Sequence, residues 1–494
     1  PPYTLCVGLS DVLLGGEGVL TIMPDTIIKF NQYLSMYVDG RLNALGSADA
    51  PLYFTDSRDD SVGTDIGQDG DATAPSPGWW RGIQIRGAGS ASMRHCIVAY
   101  GGYAEGAGIY LRGLGALTLS DTVIRNTAGA GLRLDADCAE VASTNNVFAD
   151  NADGVRLGIN ASWVDTSSTF TGNLYDVALD GGTITEEVTW QLNPLYAFCL
   201  TSGDITVGAD GVLNIKPDTN VKFRQYLGLY VDGWLNAVGT DDAPIYFTAS
   251  VDDSVGGDTG RDGSAGTPNP GWWRGIQVRN AGSAAIHHCV VAFAGYAETA
   301  GIYARGIGAL NLLGTTIRNT YGDGLRIYGS TGETTLAGNT FTLNTTGVTV
   351  SGETQCITLR NNNIHGNSSH GVINRNAEVV DARHNWWGAP SGPYHPSLNA
   401  GGEGNAVSDG VLFEPWQDQE NTGEGEGEGE GEGEGEGEGE GEGEGEGEPP
   451  SQIVTIANVV VEPYGAFLKV SYDLDTSDTL PAYVCGWFSR DGGT

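Results

Sequence analysis

The sequence predicts an all-β chain whose short strands stack as the coils of a parallel β-helix solenoid. Residues 1–192 recur without a gap 193 positions further along, and 19 of the 27 residues from Trp79 to Glu105 are identical in the second copy. A fixed period of this kind is typical of repeat architectures, in which each unit buries its apolar face against its neighbour. A shorter period inside each copy and the lack of helical periodicity complete the prediction.

The shorter period is the size of one coil. A glycine followed by an aliphatic–polar–aliphatic run returns every 23 to 26 residues, as at Gly82, Gly108, Gly131 and Gly154. This alternation predicts strands with one buried side, and the Gly and Asn residues between them suit corners that need positive φ angles. No segment places apolar residues at helical spacing over about 11 positions. Coils of this kind stack about 4.8 Å apart, so like residues form ladders along the axis.

Two kinds of recurring residue are predicted to be structural. Asn319, Asn344 and Asn367 return at the coil period, and we expect them to form one ladder at a turn, where each amide bonds to neighbouring coils. Cys96 alternates with Val98 on one side of a strand and recurs as Cys289. Since no CxxC or metal-ligand spacing is present, we expect both thiols to lie in the core.

Several phrases resemble right-handed parallel β-helix repeat proteins of bacterial surfaces, which have the pectate-lyase-like fold. They are Leu20–Phe30, Pro51–Thr55, and Asn385–Pro393 followed by Val411–Trp416. In that family the last segment marks the end of the helix, so the resemblance implies a cap at 385–416, where bulky Trp and Pro residues stop further pairing. The resemblance covers about residues 15–416. It implies the fold and an extracellular or cell-surface location. It does not imply one activity, because this fold hosts many.

Composition divides the chain into four predicted parts. Residues 1–192 form β-helix repeat unit 1, and residues 193–421 form repeat unit 2 with its cap. Residues 422–450 alternate Gly and Glu, which predicts an extended, solvated linker. Residues 451–494 read as strands of an immunoglobulin- or fibronectin-like β-sandwich, and they are fewer than the roughly 100 residues that such a domain needs. We expect this sandwich to be incomplete.

The formal net charge of −38, with 24 basic against 62 acidic residues, limits the partners. Nucleic acids and anionic membranes need a basic patch, so the composition argues against both. No apolar window of about 20 residues is present, and no transmembrane segment is therefore predicted.

An acidic, Gly-rich loop occurs in both copies and predicts a structural calcium site. Calcium takes six to eight oxygen ligands, and Gly lets backbone carbonyls turn inward beside carboxylates. The alternative is a solvated insertion whose Asp residues cap turns, since the spacing is not that of an EF-hand loop. The candidate ligands are Asp59, Asp60, Asp65, Asp69, Asp252, Asp253, Asp258 and Asp262.

A Trp-Trp-Arg segment and a Tyr-Ala-Glu segment also recur, and aromatic rings beside Arg suit the stacking of sugar rings. The alternative is that one Trp fills the core at the start of a coil while Arg stacks on the other. The candidate carbohydrate-binding residues are Trp79, Trp80, Arg81, Tyr103, Glu105, Trp272, Trp273, Arg274, Tyr296 and Glu298.

Catalysis has less support, and no catalytic residue is predicted. No pair of Asp residues lies on a predicted strand as glycoside hydrolysis requires, and His95 with His288 is the only repeated histidine. The sequence therefore favours a non-catalytic extracellular or cell-surface scaffold or adhesin that binds a polysaccharide or surface glycan and is stabilised by calcium. The alternatives are a polysaccharide lyase or hydrolase, and a subunit of an extracellular fibre formed by self-association.

Overall fold

The chain is all-β, as predicted. The computed structural model describes residues 3–66, 68, 72–104, 106–135, 140–261, 263, 266–329, 332–352, 357–422, 455–464 and 467–475. Within these ranges the chain forms 44 strands and no helix. It divides into two compact units, residues 1–425 and 426–494.

The first unit is a parallel β-helix, which confirms the predicted fold class. Strands of successive coils pair in parallel and in register, as Ile83 with Ile109 and Ile109 with Leu132. In the first repeat the strands are β1 (Tyr3–Val7), β2 (Val12–Leu14), β3 (Val19–Ile22), β4 (Thr26–Phe30), β5 (Ser35–Val38), β6 (Arg41–Leu45), β7 (Leu52–Asp56), β8 (Gly82–Arg86), β9 (Ser90–Arg94), β10 (Cys96–Ala99), β11 (Ala107–Arg112), β12 (Ala116–Ser120), β13 (Val123–Arg125), β14 (Ala130–Leu134), β15 (Glu140–Thr144), β16 (Val147–Ala149), β17 (Asp153–Leu157), β18 (Trp163–Asp165), β19 (Thr169–Thr171), β20 (Tyr175–Ile184) and β21 (Glu187–Leu192).

The second repeat continues the same stack, because β20 pairs in parallel with its first strand, Phe198–Val207. Its strands are β22 (Phe198–Val207), β23 (Val212–Ile215), β24 (Asn220–Phe223), β25 (Leu229–Val231), β26 (Trp234–Val238), β27 (Ile245–Ala249), β28 (Ile276–Arg279), β29 (Ser283–His287), β30 (Cys289–Ala292), β31 (Ala300–Arg305), β32 (Ala309–Leu313), β33 (Thr316–Arg318), β34 (Asp323–Tyr328), β35 (Glu333–Ala337), β36 (Thr340–Thr342), β37 (Thr346–Ser351), β38 (Leu359–Arg360), β39 (Asn363–His365) and β40 (His370–Asn374).

Each coil carries three strands, which form three faces of the solenoid. In the first repeat, face A contains β1, β4, β7, β10, β13, β16 and β19, face B contains β2, β5, β8, β11, β14 and β17, and face C contains β3, β6, β9, β12 and β15. Along β6 and β26, for example, buried residues alternate with more exposed ones. On face B the inward row includes Ile83, Ile109, Leu132 and Val155, all of them fully buried. Each such side chain contributes about 1.5–3 kcal/mol of burial free energy.

Asparagine ladders run along the corners between faces, but one predicted member was wrong. Asn344 is buried and its Nδ2 donates to the Ile317 carbonyl at 3.0 Å. Its Oδ1 accepts from the N–H and hydroxyl of Thr320, at 3.1 and 2.8 Å, and its N–H donates to Asn367 Oδ1 at 3.1 Å. Thr320 therefore takes the place expected for Asn319. Asn319, the residue before Thr320, has a φ of 55° and lies at the turn itself.

The C-terminal end of the stack is covered by aromatic side chains. Trp387 is fully buried against the last coil, and its ring lies 3.0 Å from the position that a Cβ on Gly371 would occupy. Two short strands, β41 (Val380–Asp381) and β42 (Val411–Leu412), pair beside it. Phe413 packs on Trp416 with ring centroids 6.3 Å apart. These contacts close the hydrophobic core where no further coil follows in the described part of the unit.

In the second unit, β43 (Thr455–Tyr464) and β44 (Phe467–Asp475) pair as an antiparallel hairpin. The β-sandwich expected at 451–494 and the four part boundaries stay predictions. The Gly–Glu linker expected at 422–450 lies outside the described residues, apart from residue 422.

Candidate functional site

The outward positions of face B form a row of polar side chains in each repeat. In the first repeat Tyr37 is partly exposed, whereas Gln84 and Tyr110 are buried. Because neighbouring coils pair in register, Tyr37, Gln84 and Tyr110 lie side by side although 73 residues separate the first from the last. The same row in the second repeat contains Tyr230, Gln277 and Tyr303. We call these two surfaces groove one and groove two.

A clamped tyrosine marks the start of each groove. In groove one the Arg86 guanidinium lies 4.2 Å from the centre of the Tyr37 ring, and Asp39 holds it through two hydrogen bonds of 2.8 and 2.7 Å. These bonds lower the pKa of Asp39, because they favour its charged form. A bidentate pair of this kind fixes the plane of the guanidinium.

Groove two repeats this geometry. Arg279 lies 4.2 Å from the centre of the Tyr230 ring, and its Nε donates to Asp232 at 2.7 Å. The two repeats therefore share this arrangement of tyrosine, arginine and aspartate.

Groove two is a surface cleft of about 340 Å³, a volume within the range of ligand sites. Burial raises the pKa of Tyr230; the Asp204 carboxylate raises it further, and Arg274 lowers it. The lining of the cleft combines aromatic surface, hydrogen-bond donors and the Glu298 carboxylate. Its principal lining residues are Tyr230, Gln277, Arg279, Glu298, Tyr303 and Arg305.

An exposed pair of tyrosines stands at the corner beside each groove. Tyr226 and Tyr296 lie 4.3 Å apart, and the Arg274 guanidinium lies 5.8 Å from the Tyr296 ring. In the first repeat Tyr33 and Tyr103 lie 4.5 Å apart. The structure thus places the predicted residues Arg274, Tyr296 and Glu298 in one surface region.

The tryptophans play a different part. Trp80 is fully buried, stacks on Phe30 at 4.3 Å and donates its Nε1–H to the Ala99 carbonyl at 2.8 Å. Trp273 does the same with Phe223, at 4.1 Å. Both are core residues with no ring face open to a ligand, which corrects their place among the carbohydrate candidates.

The outer tryptophans, Trp79 and Trp272, are half-buried. Trp79 is covered by the Arg58 guanidinium at 3.4 Å, so the stacking arginine comes from the loop and not from Arg81. Arg81 instead donates its Nε–H to the Tyr33 carbonyl at 3.0 Å. Trp272 donates its Nε1–H to the Phe223 carbonyl at 3.1 Å.

Reasoning from the sequence missed most of the groove, including Tyr37, Arg86, Tyr230, Arg279 and Tyr303. A signal was present, because these residues occupy the outward positions of strands that recur in both copies. Glu105, the predicted partner of Tyr103, lies outside the described residues.

The acidic loops follow face A and are tied down by hydroxyl groups. Asp59 and Asp252 are buried. Asp59 accepts from the Thr55 hydroxyl at 2.7 Å, and Asp252 accepts from Thr248 and from Ser254, both at 2.6 Å. These two carboxylates therefore bond to their own loop and the strand before it.

A lysine ammonium lies inside each loop. Lys222 is fully buried and donates to the Gly257 carbonyl at 2.7 Å and the Thr259 hydroxyl at 2.8 Å, with Asp253 at 3.9 Å. In the first repeat, fully buried Lys29 donates to the Thr64 carbonyl at 2.8 Å and lies 3.5 Å from Asp60. The inward carbonyls expected to bind calcium thus already accept from an ammonium group.

The described residues of the loops do not fit a calcium cage. Asp65 accepts from the Gln68 N–H at 2.7 Å and Asp258 from the Gly263 N–H at 3.1 Å. Within the described ranges, no three Asp, Glu, His or Cys side chains are grouped to hold a metal ion. Asp69 and Asp262 lie outside those ranges, so calcium stays a prediction.

The family model described as "Right handed beta helix region" matches residues 81–187 and 274–386. These segments begin 193 residues apart and lie on the two copies of the stacked coils. The stacked coils of the first unit are a right-handed β-helix. No curated protein and no solved structure matches this β-helix protein. Where the chain is described, it contains no helix with the length and hydropathy needed to cross a membrane.

Proposed function

We propose that this β-helix protein is a non-catalytic scaffold or adhesin that binds a polysaccharide or surface glycan through groove one and groove two. The observation that carries the proposal is the clamped tyrosine, which has the same 4.2 Å tyrosine–arginine geometry in both repeats. Because the duplication carries this geometry into each copy, both repeats present it on face B.

The chemistry of the groove suits a sugar. Tyrosine offers a flat, rigid apolar face at low entropic cost, and Gln277, Arg279 and Arg305 offer donors for hydroxyl groups beside it. The exposed pair Tyr226 and Tyr296 extends the aromatic surface past the corner. Carboxylates are also present, so the groove carries donors and acceptors together.

An extracellular or cell-surface location is part of the same proposal. It is supported by the resemblance to bacterial surface proteins and by the Gly–Glu segment, whose composition suits a spacer. Calcium stabilisation and assembly into fibres stay predictions.

The binding test uses beads that carry xylan, mannan, galactan, polygalacturonate or chitin oligosaccharides. We expect wild-type protein to be retained by at least one of these glycans. Replacing both clamped tyrosines, Tyr37→Ala with Tyr230→Ala, is expected to weaken retention by about tenfold or more, which corresponds to about 1.4 kcal/mol. The matched control is Tyr394→Ala, since Tyr394 is 43% exposed on the cap, away from both grooves.

Two results would contradict the proposal. One is that no glycan retains the wild-type protein. The other is that the double variant binds as well as wild type, because the grooves would then not be the binding surface.

A second candidate function is polysaccharide cleavage, which two carboxylates near Tyr230 favour. After burial, the charges of Asp204 and Glu298 raise the pKa of Tyr230, and Glu298 lines the cleft. Glycoside hydrolases use a pair of carboxyl groups on either side of the bond. The test measures new reducing ends and unsaturated uronates after incubation with the same glycans. Product that disappears in Glu298→Gln would support an enzyme, and no product from any glycan would exclude cleavage of this panel.

A further inference from the structure

The sheet that carries groove one does not continue into groove two. Following face B towards the second repeat, β17 pairs with Val177–Leu179 in the first half of β20. These residues pair with Phe198–Leu200 of β22, which pair in turn with β24. Strand β24 is the counterpart of β4, so face B of the first repeat becomes face A of the second.

Face B of the second repeat arises from a different part of the chain. The second half of β20, Gly182–Ile184, pairs with Ile205–Val207 of β22, which pairs with β25. Between the two halves the register shifts at Asp180. Gly181 allows this bend, because a Cβ there would lie 2.2 Å from the Ser202 carbonyl oxygen. Groove two therefore opens on the neighbouring face of the solenoid.

The outward row of groove one becomes buried at the junction, where β20 of the first repeat pairs with β22 of the second. Arg156 is aligned with Ala178, Ala178 with Cys199, and Cys199 with Lys222. The last three of these residues are fully buried. The acidic loop of the second repeat covers Lys222 through Gly257 and Thr259, so a chain lying in groove one meets this loop.

The same loop is fixed to the coils of the first repeat. The Gly260 N–H donates to the Leu174 carbonyl at 2.9 Å, and the Arg261 guanidinium lies 3.6 Å from Asp150. The loop is thus anchored on both sides of the junction and separates the two grooves.

We infer that the protein is bivalent, with each groove binding a separate glycan chain, and that it cross-links glycans. The inference rests on the proposed carbohydrate binding and adds the number and direction of the sites. From Tyr37 to Arg156 the outward row of groove one covers five coils, or about 19 Å at the coil spacing. Tyr37, Arg133 and Arg156 in this row are partly exposed, whereas Gln84 and Tyr110 are buried. A short oligosaccharide would contact the exposed members, and a longer chain does not pass from one groove to the other.

The test compares binding with bridging. Wild type, Tyr37→Ala, Tyr230→Ala, the double variant and the Tyr394→Ala control are mixed with beads that carry xylan, mannan, galactan, polygalacturonate or chitin oligosaccharides. Retention and agglutination of the beads are measured separately, and calorimetry with a hexasaccharide of the retained glycan gives the number of sites per chain.

We expect wild type and Tyr394→Ala to bind two hexasaccharides and to agglutinate beads. Each single variant is expected to bind one hexasaccharide and to stay on beads without agglutinating them. One site in the wild type, or agglutination by the single variants, overturns bivalency while carbohydrate binding stands. A wild type that no bead retains overturns the proposed function and bivalency together.

Discussion

Removing the buried ammonium of Lys222 is expected to open the acidic loop of the second repeat. Lys222→Met keeps an unbranched apolar stem of similar length but deletes the bonds to the Gly257 carbonyl and the Thr259 hydroxyl. Hydrogen bonds that involve a charged group are worth about 1.5–3 kcal/mol each. Breaking a buried ion pair costs about 3–5 kcal/mol, and the Asp253 side chain is 17% exposed, which favours the lower end. We therefore expect a loss of about 3 kcal/mol.

Because coils of a solenoid open in part independently, the loss is best measured locally. A tenfold change in an equilibrium constant corresponds to about 1.4 kcal/mol, so this loss of stability raises the equilibrium constant for opening of residues 250–260 by about a hundredfold. Native-state hydrogen exchange detects a change of this size. The loop around Lys29 in the same molecule is the matched control and should keep its protection. Lys29→Met should reverse the pattern.

Equal protection of both loops in Lys222→Met would refute the reasoning, since the ammonium would then contribute nothing to loop order. Loss of protection throughout the chain would also refute it, because the effect would not be local.

Four further outcomes follow from the contacts. If calcium stabilises the acidic loops as the sequence predicts, chelator should lower the melting temperature and added calcium should restore it; an unchanged melting temperature would leave the ammonium groups as the cations of the described part of each loop. Asn344→Ala should lower the free energy of unfolding by about 3 kcal/mol in urea titrations, because the Ile317 carbonyl and the N–H and hydroxyl of Thr320 in the preceding coil lose their bonds; a change below about 0.5 kcal/mol would contradict the ladder. Burial raises the pKa of Asp176 to about 7, so its folded-state pKa exceeds the ordinary 3.8 and stability is lost as pH rises from about 4 to 7; Asp176→Asn should therefore raise the melting temperature more at pH 8 than at pH 5. Burial also raises the pKa of Cys96 and Cys199 to about 12, so iodoacetamide and peptide mapping should find both unlabelled in the native chain while exposed Cys6 reacts.

The coil architecture was predictable because it depends on local patterns. Alternation of apolar and polar residues sets which side chains point inward, and this repeats at every coil. The burial of Cys96 and Cys289 follows from the same alternation and was confirmed. The turn ladder was predicted to within one residue: Thr320 and Asn319 are adjacent in sequence, and only the backbone turn decides which one faces the neighbouring coil.

The candidate site was much less predictable, because its residues are neighbours only after the coils stack. Tyr230 and Gln277 are 47 positions apart in the chain and adjacent on face B. The Trp-Trp-Arg motif was predicted to bind carbohydrate because it is aromatic, yet burial against Phe30 and Phe223 takes Trp80 and Trp273 out of reach of a ligand.

The order of residues was enough to predict a duplicated, all-β solenoid, because the 193-residue repeat and the strand alternation are both visible along the chain. What occupies the acidic loops, and where the two grooves open, depends on contacts between distant residues. The lysine inside each loop comes from a strand 35 residues away from its carbonyl partner. The shift of faces depends on how β20 divides its pairing between two sheets. Such choices depend on which surfaces meet when the coils stack, and no local pattern of residues records them.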